Sequence, residues 1–334
     1  MTNHEALMRR AIAMAETARA VARPNPWVGA VLVCLDGSVF EGATRAPGRE
    51  HAEIVALEAA RAAGVSTEGA TLYCTLEPCS HRGRTGPCTE AVITAGIAHV
   101  VVAIEDPDPR VSGAGLEALR ADGLGVTVGV CADEVRAQLA PYLHHRRTGR
   151  PFVVLKMATT LDGRTHLASG PRWITGPEAR RRVHQLRAES DAIVVGRATI
   201  AIDDPELTVR DVDGTSPRRI VLTHHKDVPA DARVQPCTQW DGGIEELLDT
   251  LGAQGCLQLL VEGGPRVATS FHEPALVDRY VFHVAPTVSG DADALGVFAA
   301  GSPSLRRLVI TSIGRFGDDA EIIFEPHHEK VSAQ

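Results

Sequence analysis

Arg49-Glu50-His51-Ala52-Glu53, read with Thr75-Leu76-Glu77-Pro78-Cys79 and with Cys88, brings one imidazole, two thiols and a carboxylate into a single pattern. A catalytic zinc takes three protein ligands and leaves its fourth tetrahedral position to water, and His51, Cys79 and Cys88 supply that count and that mixture of donors. Glu53 is then free to move protons. The competing reading is a closed structural zinc or a pair of packed thiols, since unpaired cysteine is among the most buried residue types. A closed site needs a fourth Cys or His at short spacing, and only His81, inside the loop, could serve.

Working outward, the apolar periodicity places these residues on elements. Residues 5–21 follow helical spacing, and Pro24-Asn25-Pro26 ends that helix before an apolar strand over 28–34. Asp36-Gly37 is a hairpin signal. A helix over 51–63 sets His51 and Glu53 in its first turn. A strand over 71–75 runs into Pro78-Cys79, and a helix over 89–95 follows, capped by Gly96. The metal loop thus joins a strand to a helix, whose N-terminal dipole favours thiolate. A strand over 99–104, a helix over 116–121 and a strand over 126–130 complete an alternation that predicts a layered α/β domain with a mainly parallel sheet.

With 334 residues the chain exceeds what one core usually covers, so two domains are expected. The formal net charge of -8 and the pI near 6.0 argue against a general nucleic-acid or membrane-surface partner. The amino terminus lacks the basic flank and apolar run of a secretion signal, and no apolar stretch is long enough for a membrane span, so a cytoplasmic protein is expected. Seven cysteines suggest reduced thiols and a metal site rather than a disulfide framework. Cys34, Cys74, Cys131, Cys237 and Cys256 sit in or beside apolar runs and read as packing residues.

The basic, breaker-containing stretch 144–151 marks the domain boundary, giving domains over 1–147 and 148–334. A second alternation follows: strand 152–158, helix 177–189, strands 192–196, 219–223 and 258–262, helix 266–271 and strand 279–285. Glu262-Gly263-Gly264-Pro265 follows a strand and opens a helix, where backbone amides can face a phosphate. Alone it is equally a tight turn. Lys156, Arg172, Arg187 and Arg210 are cations that could hold a phosphorylated ligand, or else solvated surface charges.

His-x-Glu followed by Pro-Cys and a second Cys is the arrangement of zinc deaminases, with the Glu as general acid/base. More specifically, the chain resembles the bifunctional pyrimidine deaminase/reductase family of riboflavin biosynthesis. The resemblance rests on Pro24-Asn25-Pro26-Trp27-Val28-Gly29, His51-Ala52-Glu53, the long loop from Pro78-Cys79 through Gly83-Arg84-Thr85 to Pro87-Cys88, and Asp106-Pro107-Asp108-Pro109. In the second half it rests on Leu161-Asp162-Gly163-Arg164-Thr165, Trp173-Ile174-Thr175, Asp203-Asp204-Pro205 with Leu207-Thr208-Val209-Arg210, and Glu262-Gly263-Gly264-Pro265.

It implies an α/β chain with an N-terminal cytidine-deaminase-like three-layer domain and a C-terminal dihydrofolate-reductase-like domain. Zn2+ and NADPH are the implied cofactors, a phosphoribosyl-pyrimidine the implied small-molecule substrate, and a homo-oligomer, dimer or tetramer, is expected. By matching position, Asn25 would read the base. Ala158, Trp173, Thr199, Asp203, Thr223 and the loop Gly264, Pro265, Arg266 would face the cofactor. Arg172, Arg187, Leu207, Arg210 and Glu262 would face the substrate. Two departures stand against the pattern: residues 224–243 are short where the family has a strand-helix-strand segment, and Thr287 stands where a basic residue is expected. The alternatives are a chain that only deaminates, a zinc nucleoside or RNA deaminase, and a zinc-stabilised binding protein.

Overall fold

The computed structural model describes residues 3–81, 86–108, 111–166, 173–224, 227–291, 293–299 and 305–327. The chain divides into two compact units, Met1–Gly149 and Arg150–Gln334.

The first unit runs α1 (Asn3–Ala18), β1 (Gly29–Val33), β2 (Val39–Ala43), α2 (Ala52–Ala62), β3 (Thr71–Leu76), α3 (Cys88–Thr94), β4 (His99–Ile104), α4 (Ala114–Ala121), β5 (Gly125–Val128), α5 (Ala132–Gln138) and α6 (Ala140–Thr148). Its sheet has the order β2-β1-β3-β4-β5. The expectation of a mainly parallel sheet is corrected in part. β3, β4 and β5 are parallel, but β1 runs antiparallel to both β2 and β3. The hairpin at Asp36-Gly37 reverses the chain there, with Gly37 at φ 85.

Two glycines let helices sit against the sheet. A Cβ at Gly29 would lie 1.9 Å from the Ala11 carbonyl oxygen of α1, and one at Gly42 would lie 2.1 Å from that of Ala52 in α2. Gly42 pairs with Ala30, the residue after Gly29, and successive strand residues face opposite sides of a sheet. Helix α1 therefore covers one face and α2 the other, which makes three layers. The alanines Ala11, Ala15, Ala52 and Ala56 are fully buried because only so small a side chain fits that approach.

The basic stretch 144–151 is largely helix: it is the last part of α6, closed by Gly149 at φ 74. The run of His and Arg hides the helix because its buried anchors, Pro141 and Tyr142, come earlier.

The second unit contains β6 (Phe152–Thr160), α7 (Pro177–Ala188), β7 (Ala192–Gly196), α8 (Arg197–Asp203), β8 (Arg218–Leu222), β9 (Thr238–Trp240), α9 (Ile244–Ala253), β10 (Gln258–Val261), α10 (Pro265–His272), β11 (Arg279–Ala285), β12 (Leu308–Phe316) and β13 (Asp319–Pro326). The order is β12-β13-β11-β6-β10-β7-β8-β9. From β11 to β9 neighbouring strands are parallel, and β13 and β12 add an antiparallel edge. The short segment 224–243 still supplies a strand, β9, on the edge of β8.

One face of this sheet carries Leu155, Met157, Leu259 and Val261 against Leu247 and Leu251 of α9 and Phe271 of α10. Fully burying each such side chain contributes about 1.5–3 kcal/mol. On the opposite face, alternate residues of β6 include Lys156 and Ala158, and α7 sends Arg182 and Arg187 to partners on the flanking strands. That face is where charge is placed.

Candidate active sites of the two units

In the first unit, His51 is the residue before α2 and Glu53 lies in its first turn, while Cys88 opens α3. The donor atoms of His51, Cys79 and Cys88 all lie within 4.8 Å of one another, and among the described residues this is the one group of three placed to hold a metal ion. His51 Nδ1 is 3.6 Å from Cys79 Sγ and 3.3 Å from Cys88 Sγ. The Cys88 backbone N–H donates to Cys79 Sγ at 3.5 Å, an amide of a helix end facing a thiolate. Two soft sulfurs with one imidazole nitrogen, and His81 exposed outside the group, fit a zinc with three protein ligands.

The electrostatics agree with a metal-ready thiolate. Hydrogen bonds from Cys88 and His51 hold the Cys79 thiol well below its ordinary value in spite of burial. The hydrogen bond to Cys79, with burial, pushes the Cys88 thiol up. Glu53 is 3% exposed, and burial pushes its carboxyl up while the His51 charge pulls it down. A carboxyl moved towards neutrality both accepts and returns a proton.

His51, Cys79 and Glu53 line a pocket of about 250 Å³ that Asn25, Tyr142 and Arg146 also line. Asn25 thus sits beside the metal ligands. Glu77, within the Thr75 to Cys79 motif, is no ligand. Its buried carboxylate accepts from the backbone N–H groups of Asp106, Gly113, Gly115 and Leu116, tying Asp106, Gly113 and the start of α4 to the end of β3. Tyr142 donates to both oxygens of Asp106 at 3.0 Å, and Arg146 stacks over the Tyr142 ring at 4.9 Å. Sequence reasoning missed Tyr142 and Arg146 as pocket residues. Their spacing of four on a helix was the signal available.

In the second unit the cofactor candidates sit at the carboxyl ends of parallel strands, where open α/β sheets bind nucleotides. Ala158 is near the end of β6. Thr199 and Asp203 lie in α8 after β7, Thr223 follows β8, and Gly264, Pro265 and Arg266 follow β10 and open α10. Gly263 is there for packing, since a Cβ would come within 2.4 Å of Val267. Trp173 is 56% exposed with the Arg180 guanidinium 5.5 Å from its ring. Arg172 lies outside the described residues.

Of the substrate candidates, Arg187 and Glu262 form a paired contact, Nε to Oε1 at 2.8 Å and Nη2 to Oε2 at 2.9 Å. Arg187 Nη1 also donates to the Thr208 carbonyl at 3.2 Å, which holds the loop carrying Leu207, buried and at φ 57, and Arg210. The Arg210 guanidinium is engaged by Glu206, which also takes Arg233. Lys156, read above only as a possible phosphate-holding cation, sits one register step beyond the Leu155–Val261 pair and so beside Glu262. Burial pushes its ammonium below the ordinary value while Glu262 opposes the shift, and among the described residues no hydrogen bond or ion pair reaches it.

The two units therefore define a class: a zinc deaminase followed by a reductase-type α/β unit whose strand ends can cradle a nucleotide. The sequence profile of the cytidine and deoxycytidylate deaminase zinc-binding region matches residues 1–104, and that of the RibD C-terminal domain matches residues 151–322. A riboflavin biosynthesis protein RibD of Chlamydia muridarum is 37% identical over 364 residues, covering 95% of each chain. The solved RibD of Acinetobacter baumannii superposes with a TM-score of 0.88 at 33% identity, covering 97% of this chain and 99% of that one. A diaminohydroxyphosphoribosylaminopyrimidine deaminase/5-amino-6-(5-phosphoribosylamino)uracil reductase from Thermotoga maritima superposes with a TM-score of 0.87 at 31% identity, covering 97% and 99%.

The chain belongs to the RibD family. It carries the family's zinc-dependent deaminase and its NADPH-type reductase in one polypeptide of riboflavin biosynthesis. No helix among the described residues is long and apolar enough to cross a membrane.

Proposed function

We propose that the chain deaminates 2,5-diamino-6-(5-phosphoribosylamino)pyrimidin-4(3H)-one and then reduces the ribosyl side chain of the product to ribityl. The observation that carries the first step is the convergence of three ligand atoms within 4.8 Å beside a buried Glu53. His51, Cys79 and Cys88 would hold a zinc ion, whose Lewis acidity would let water act as a nucleophile near neutral pH. Glu53 takes a proton from that water and passes it to the departing amino group, so that ammonia leaves. Asn25 orients the pyrimidine edge in the pocket.

For the second step, NADPH, when bound, would supply the hydride that C1′ of the ring-opened imine takes up. Ala158, Trp173, Thr199, Asp203, Thr223 and the Gly264, Pro265, Arg266 turn hold that cofactor at the strand ends. Arg187, Glu262, Leu207 and Arg210, with Arg172, hold the substrate. Lys156, desolvated and with no hydrogen bond or ion pair among the described residues, gives the proton that the imine nitrogen needs. We also read the protein as cytoplasmic and as a homo-oligomer; the second reading is supported by the edge strand β12, which leaves Ile310 53% and Ile313 68% exposed.

Replacing Glu53 with Gln tests the first step. The variant is expected to keep its zinc and to release ammonia at least about 100-fold more slowly, the usual scale of a lost general acid/base. Undiminished ammonia release would remove Glu53 from the mechanism.

A further inference from the structure

Four side chains form a row across the second sheet: Glu321 of β13, His283 of β11, Lys156 of β6 and Glu262, the residue after β10. His283 pairs with Glu321 across β11 and β13, and with Ala158 across β11 and β6. Lys156 is two residues before Ala158, on the same face, with Glu262 beyond it. Helix α7 clamps the carboxylate at each end, Arg187 on Glu262 and Arg182 Nε on Glu321 at 3.2 Å.

His283 is fully buried, and its Nε2 donates to Glu321 Oε2 at 2.8 Å. Its Nδ1 is then a lone-pair acceptor, buried and without a partner among the described residues. Unpaired buried nitrogens are rare in native proteins. Lys156, the diagonal neighbour on the next strand, offers donors that nothing described accepts. Diagonal neighbours lie within reach of a long side chain, and Lys156 is among the charges acting on His283.

We infer that His283 is a positioning residue for the reductive step: its open Nδ1, not bonded to Lys156 in this structure, is the acceptor to which the Lys156 ammonium turns when substrate and NADPH are bound, aiming that group at the substrate nitrogen. Glu321 and Arg182 fix the ring that does the aiming. The inference rests on the reading of Lys156 as proton donor, and the test separates the two.

Asn at 283 places an amide oxygen near the Nδ1 position, whereas Gln places an amide nitrogen near Nε2. Full-length zinc-loaded protein is assayed for NADPH oxidation on the deaminated substrate, with ammonia release and melting temperature as folding controls. His283→Gln is expected to lower kcat at least about tenfold with KM nearly unchanged, and His283→Asn to recover most of that loss. The reverse order would show that His283 acts through Glu321 alone, and two variants at the parent kcat would equally overturn the inference. Lys156→Met separates the readings: parent-like reduction there would sink the proton-donor reading itself, whatever the His283 variants do. In the unmutated protein with deaminated substrate and NADP+ bound, the 15N shift of His283 Nδ1 is expected to be that of a hydrogen-bonded acceptor, and a free-acceptor shift there would also contradict the inference.

Discussion

Glu53 and His51 lie two positions apart at the start of α2, so one short helix turn delivers both a ligand and a proton carrier. That economy is why the deaminase ligands were legible from residue types alone, since local spacing settles most of their geometry. Tyr142 and Arg146 were not legible, because only folding brings them to residues far away in the chain. Lys156 was read as a strand residue and a cation, and its place beside Glu262 depends on a register no sequence pattern displays. His144, in the same helix as Tyr142, carries a titration that the sequence also hides. Burial, with the charges of Arg147 and His145 adding to it, pushes its imidazole down from 6.5 to about 4. The unfolded chain therefore takes up that proton first as pH falls. The stability His144 contributes is complete above pH 6.5 and is lost as pH falls towards about 4. The melting temperature of the parent relative to His144→Asn is accordingly expected to decline across that window and to level off below it, and a difference independent of pH would contradict the assignment.

At the scale of elements, most helices and central strands followed from period and punctuation, because each is amphipathic or wholly apolar over a length that fixes its type. The exceptions have physical causes. Strand β12 is exposed along most of its length and carries an irregularity between Ile310 and Ser312, so its residues lack the alternation that marks a half-buried strand. Helix α8 is a single short stretch after β7, and α6 is masked by its own basic end. The β12 edge also bears on assembly. On the homo-oligomer proposed above, this nine-residue edge strand, with exposed isoleucines and one side unpaired among the described residues, is the edge a second copy would take. Ile313→Lys is expected to lower the mass of the particle measured by light scattering to that of a smaller assembly while leaving the fold intact. An unchanged mass would remove β12 from the interface.

Over the whole molecule, the two sheets hold two chemistries that a single substrate meets in order, since the deaminated product is what the second unit reduces. The shortened stretch 224–243, which raised the alternative of a chain that only deaminates, still forms β9 and completes the parallel sheet beside β8. The net charge of -8 and the second α/β unit speak against the RNA-deaminase alternative. The most direct measurement supplies the diamino phosphoribosylamino pyrimidine and NADPH to the zinc-loaded chain and follows ammonia release and NADPH absorbance in one cuvette. Ammonia is expected first, with NADPH loss following it mole for mole. Ammonia without NADPH consumption, or NADPH consumption that precedes deamination, would contradict the account.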